Sequence, residues 1–118
     1  MKTPEITINR LVSDSYQVSE YNGWHSIAAS LPDRLCLIHS EVSEALEEFR
    51  SGRAFDEVYY EDLHTKFPKP CGIPIEMADI VIRAADFCGV YNIDLQEAIR
   101  IKQAYNKTRP QLHGGKKL

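Results

Sequence analysis

Paired cysteine is the first thing this chain lacks. Cys36, Cys71 and Cys88 make an odd number, and no CxxC spacing occurs. Neither a disulfide framework nor a cysteine zinc site is expected, and reduced thiols are the simpler reading. His25, His39, His64 and His113 form no HxxH or HExxH pattern, which argues against a histidine zinc centre. No run approaches the ~18 apolar residues of a membrane span, and MKTPEITINR has no apolar signal core. The expectation is a cytoplasmic protein with no membrane partner. Positive charge is also scarce, with 14 Lys and Arg against 17 Asp and Glu, a net charge of −3. That argues against general binding to nucleic acid. A small phosphorylated ligand stays open, because a metal ion can supply local positive charge. Alternating strand runs, internal repeats and low-complexity segments are missing too.

What is present reads as helix. The 118 residues are 43% hydrophobic and 26% charged, which fits one soluble all-α domain over residues 1–118. A first helix is predicted from Thr7 to Glu20, with a weak apolar face of Ile8, Leu11, Val12 and Val18, broken at Tyr21-Asn22-Gly23. A second begins near Leu31, with Ser30 as N-cap, Pro32 and Asp33 in the first turn, and Gly52 as its stop. A third runs from Pro74 to Cys88, ended by Gly89. A fourth starts at the capping-box-like Asp94-Leu-Gln-Glu97 and stops near Lys107, before Pro110. The connection from Ser51 to Ile73 holds Pro68, Pro70 and Gly72. Its length predicts a lid or an oligomer contact, with a short helix near Phe55 to Leu63. The tail, 111–118, is expected to be mobile.

Two pairs of acids stand out: Glu41 with Glu44, and Glu76 with Asp79. The i, i+3 spacing puts each pair on one helix face. Glu41 lies about 40° around the second helix from Ala45 and about 60° from Ile38, at the rim of the apolar stripe. On the third helix Glu76, Asp79, Arg83 and Asp86 form a narrow polar stripe in apolar surroundings. Buried acids are costly unless something positive meets them. If the two helices pack antiparallel, four carboxylates converge and form a site for a hard divalent cation, Mg²⁺ first. Such a site supports metal-assisted phosphoanhydride hydrolysis, with a spare carboxylate as general base. The plainer alternative pairs Glu44 or Asp79 with Arg50 or Arg83 across the helices. Asp86 reads either as a group behind the ligands or as an ion-pair partner.

Phosphates need basic groups as well. Lys102 and Asn106, at i, i+4, share a face of the fourth helix, and Arg109 follows close to the same line. They offer a point charge, an amide donor and a bidentate guanidinium. Trp24 and His25 offer a stacking surface and a donor for a base, with Tyr91 and Tyr105 as weaker candidates.

The order Glu41-x-x-Glu44, residues 45–75, then Glu76-x-x-Asp79 resembles the ExxE…ExxD signature of the MazG-like all-α NTP pyrophosphohydrolases. Lys102-Gln-Ala-Tyr-Asn106-Lys-Thr-Arg109-Pro110 is similar to that family's closing KxxxNxxRP segment, and the likeness spans roughly Leu35 to Gly115. The resemblance implies a four-to-five-helix bundle completed by oligomerisation, as a homodimer or homotetramer. It implies cleavage of a (deoxy)nucleoside triphosphate to the monophosphate and pyrophosphate, with Mg²⁺ as cofactor or Mn²⁺ in its place. It assigns metal ligation to Glu41, Glu44, Glu76 and Asp79, and phosphate contact to Lys102 and Asn106. A role in clearing nucleotides from the pool follows from the likeness alone.

Overall fold

The computed structural model describes residue 3 and residues 5–110. The tail expected to be mobile lies outside these residues. Helix α1 covers Ile8–Tyr21, a 3₁₀ turn Trp24–Ser26, α2 Leu31–Arg50, α3 Ile73–Val90 and α4 Leu95–Thr108. Two short strands, β1 (Tyr59–Glu61) and β2 (Lys69–Cys71), lie between α2 and α3. The chain is mostly helical, as the apolar spacing predicts.

The helix starts follow local chemistry. Thr7 caps α1 by accepting from the Arg10 amide, and Asp94 caps α4 by accepting from Glu97. Ser30 and Asp33 form a reciprocal capping box on α2, satisfying donors that the first turn leaves open. The end of α3 departs from expectation. Gly89 does not stop it; the helix runs on to Val90. Asn92 takes the left-handed conformation at φ 54°, and the Ile93 amide bonds back to the Cys88 carbonyl at 2.9 Å. This is a Schellman-type end, with asparagine in the place glycine often fills. Gly89 instead lets α1 come close. A Cβ there would stand 3.0 Å from the Tyr16 side chain.

The expected short helix at 55–63 is not formed. Tyr59, Tyr60 and Glu61 pair antiparallel with Cys71, Pro70 and Lys69. Adjacent tyrosines favour extended backbone, and Pro70, with no N–H, suits a two-strand edge. Gly72 closes the pair at φ 119°, where a Cβ would lie 2.1 Å from the Glu57 carbonyl oxygen; only glycine fits. Tyr59 ties the strands to α2 by donating to both Glu48 carboxylate oxygens at 2.8 Å, beneath the Arg53 guanidinium at 3.6 Å.

Helix α3 is the centre of the molecule, with α1 and α2 packed on it and α4 resting on α1. Ala85 and Cys88 are its buried residues. No large apolar side chain among the described residues is fully buried. Leu46 at 56%, Phe49 at 66% and Val81 at 50% exposure leave broad apolar surface on α2 and α3.

Candidate metal centre

Antiparallel-style packing of α2 on α3 gathers Glu41, Glu44 and Glu76. One carboxylate oxygen from each lies within 4.8 Å of the others. Glu41 is buried, at 5% exposure, Glu76 is half-buried, and Glu44 opens to water. The fourth predicted ligand, Asp79, sits one turn further along α3, outside this trio. It lines a cavity of about 370 Å³ between α1, α2 and α3, whose wall Glu41 also reaches.

The electrostatics are uneven. Glu41 accepts from Arg83 Nε across the helices through its Oε1. This is the cross-helix pairing that the plainer sequence reading expected at Glu44 or Asp79. Burial pushes the Glu41 carboxyl up, but the Arg83 bond and the neighbouring Glu44 and Glu76 carboxyls outweigh it and hold the net value low. Glu76 goes the other way, to about 7, raised by burial and then by Glu41, Glu44 and the Asp79 charge. Asp79 is raised by burial and by the Glu41 charge. Oε2 of both Glu41 and Glu76 is buried with no hydrogen-bond partner. Ionised carboxylates only accept, so the trio cannot satisfy itself. A proton on Glu76 or a cation among the three resolves the conflict.

Two residues expected to bind a base separate here. Trp24 lines the cavity and is half exposed. His25 has no free ring nitrogen. Its Nδ1 faces Glu20, its Nε2 lies 2.8 Å from Asp86, and its ring lies tilted by 40° against Tyr16, with centroids 4.5 Å apart. Burial lowers the imidazole pKa, but the bonds and charges of Asp86 and Glu20 outweigh that and raise it above 6.5. With a carboxylate at each ring nitrogen, His25 fastens the Trp24 turn to α1 through Glu20 and to α3 through Asp86. Asp86 is thus an ion-pair partner.

Lys102, Asn106 and Arg109 are all exposed. The cations of Lys102 and Arg109 flank the Tyr105 ring at 5.0 and 5.9 Å. Within one chain this row is not part of the acid trio or of the cavity wall. Two arginines reach the cavity instead, Arg34 from α2 and Arg83 from α3. Spacing held a signal for both. Arg34 is seven residues before Glu41, and Arg83 seven after Glu76, which keeps each near its acid's helix face.

Comparison of the chain with protein-family models, with curated proteins and with solved structures finds no match. The functional reading rests on the residues themselves. No helix among the described residues is long and apolar enough to cross a membrane.

Proposed function

We propose that this chain is a Mg²⁺-dependent nucleoside triphosphate pyrophosphohydrolase of the MazG-like kind, cleaving (d)NTP to (d)NMP and pyrophosphate in nucleotide-pool housekeeping. One observation carries the reading: the glutamate trio holds two buried carboxylate oxygens with no partner, on Glu41 and Glu76. An all-oxygen, acidic donor set suits Mg²⁺ or Mn²⁺. Glu41, Glu44 and Glu76 would hold the ion. When bound, it supplies polarisation of the phosphoryl oxygens and a more acidic water.

The remaining steps fall to the chain. With no ion in the trio, Arg83 donates to Oε1 of the buried Glu41 carboxylate and leaves Oε2 without a partner. Asp79, outside the trio and with a raised pKa, is the carboxylate best placed to take a proton from the attacking water. Trp24 gives the cavity an aromatic wall for a base, held there by His25. Lys102, Asn106 and Arg109 keep a phosphate role only as groups offered by a paired subunit.

Self-association belongs to the same reading. A chain with no fully buried large side chain among the described residues and an open apolar stripe on α2 and α3 gains most by covering that stripe with a second copy. Light scattering at micromolar concentration is expected to give a dimer or tetramer; a stable monomer contradicts this.

Incubation with a panel of dNTPs and Mg²⁺ should release pyrophosphate from at least one, and none without the metal. Metal and nucleotide binding without pyrophosphate release would instead make the chain a binding module, regulatory or structural.

A further inference from the structure

The cavity beside the glutamate trio holds more positive charge than a metal centre requires. Arg34 and Arg83 both line it, alongside Glu41 and Asp79, with Trp24 at one wall. Arg34 has a buried Nε with no hydrogen-bond partner. Burying an unused guanidinium donor is costly, so its position asks for an acceptor. Arg83 is partly used. Its Nε donates to Glu41, while its terminal nitrogens have no hydrogen-bond partner among the described residues. Its guanidinium carbon lies 5.9 Å from the Trp24 ring centroid.

The other acids at this wall occupy no donor of the pair, although the Arg83 charge is felt at Asp79, where burial raises the pKa and Arg83 offsets part of that rise. Asp86 is held by His25 at 2.8 Å, and no hydrogen bond joins Asp79 to either arginine. While no cation is bound, Arg83 is the charged partner of the Glu41 carboxylate. A divalent ion among the glutamates takes over that task. Arg83 and Arg34 are then two unspent guanidiniums lining one cavity beside the metal, an arrangement suited to bidentate contact with a phosphoryl group.

We propose that Arg34 and Arg83 form an anion subsite in this cavity, filled by a phosphoryl group of the ligand once a divalent cation has taken Glu41 over from Arg83. This rests on the metal reading above, and makes binding ordered: cation first, anion second. By linkage, the anion in turn tightens the cation. It also moves phosphate recognition from the exposed α4 row to two side chains of the same cavity.

The test uses the full chain, Mn²⁺ as the metal and inorganic pyrophosphate as the anion probe. Trp24, the sole tryptophan, reports through its fluorescence because Arg83 sits over its ring. Wild type should bind pyrophosphate at least 10-fold more tightly with saturating Mn²⁺ than without metal. R34Q and R83Q should each weaken pyrophosphate binding 10-fold or more. For Mn²⁺ alone, R34Q should match wild type, whereas R83Q should bind it more tightly, since a competitor for Glu41 is gone. R83K, which keeps charge but loses the fork, should recover only part of the anion affinity; it also serves if R83Q fails to fold. Unchanged pyrophosphate affinity in R34Q and R83K, with Mn²⁺ binding intact, would overturn the subsite alone. Weaker Mn²⁺ binding in R83Q would overturn the handover. No Mn²⁺ binding by folded wild type would overturn the metal reading and the binding order with it.

Discussion

Glu76→Gln is expected to lower Mg²⁺-dependent pyrophosphate release by roughly 10³-fold, because a metal ion contributes several kcal/mol to transition-state stabilisation. Helical content should be unaffected. The amide keeps the shape of the carboxyl, and Glu76 does not cap α3, whose first turn follows Gly72. The same change should make the metal-free protein more stable near pH 8. At that pH wild-type Glu76 is forced to ionise beside Glu41 and Glu44, and glutamine is not. Loss of turnover with a gain in metal-free stability is the mark of a functional carboxylate. A structural ion-pair partner would lose both. Retained turnover in a folded variant would refute the role of Glu76.

The second large effect is a pH-dependent weakness of the metal-free protein, relieved by a divalent cation. Glu76 has a folded pKa of about 7 against an ordinary 4.5. Below pH 4.5 the carboxyl is protonated in both folded and unfolded chains, and no penalty exists. As pH rises from 4.5 to about 7 only the unfolded chain ionises freely, so stability falls; above 7 the penalty is complete. Allowing for water at the open Glu44 side, it amounts to on the order of 2 kcal/mol. The melting temperature should drop by about 10 °C across that window. His25 acts in the same direction by another route. Its raised pKa means its contribution is present below pH 6.5 and lost as pH rises through the higher folded value. His25→Asn should remove that part and leave the Glu76 part in place. Saturating Mg²⁺ should restore the loss at pH 8 in wild type and do little for Glu76→Gln. A melting temperature that does not fall between pH 5 and 8 would count against the acid trio as drawn.

These expectations were partly legible from the chain. Helix starts depend on neighbours within one turn, so Ser30 and Asp94 could be read directly, and each caps its helix; Thr7, read as the first residue of its helix, is the cap before it. The acid pairs were legible because three-residue spacing fixes a shared face. Across helices, spacing loses its force. Sequence named Glu44 or Asp79 as the arginine's partner, while packing selected Glu41 for Arg83. Gly89 read as a stop because glycine often ends helices, yet its value here is the missing Cβ facing Tyr16. His25 read as a free donor because nothing local shows that Asp86, 61 residues away, will occupy its Nε2. The strands at 59–61 and 69–71 were missed for a similar reason, since β1 is three residues long and depends on its partner. The Lys102–Asn106–Arg109 row is a regular face of α4, but periodicity does not say which way α4 will be turned.

Calorimetric titration of the wild-type chain with Mn²⁺, in two buffers of different ionisation enthalpy, tests the central claim most directly. If Glu41, Glu44 and Glu76 form the metal centre, binding is saturable and displaces the proton that Glu76 holds with its pKa of about 7. Close to one proton should be released per ion at pH 6 and almost none at pH 8, with binding lost in Glu76→Gln. No saturable binding, or binding with the same proton count at both pH values and in the variant, would contradict the account.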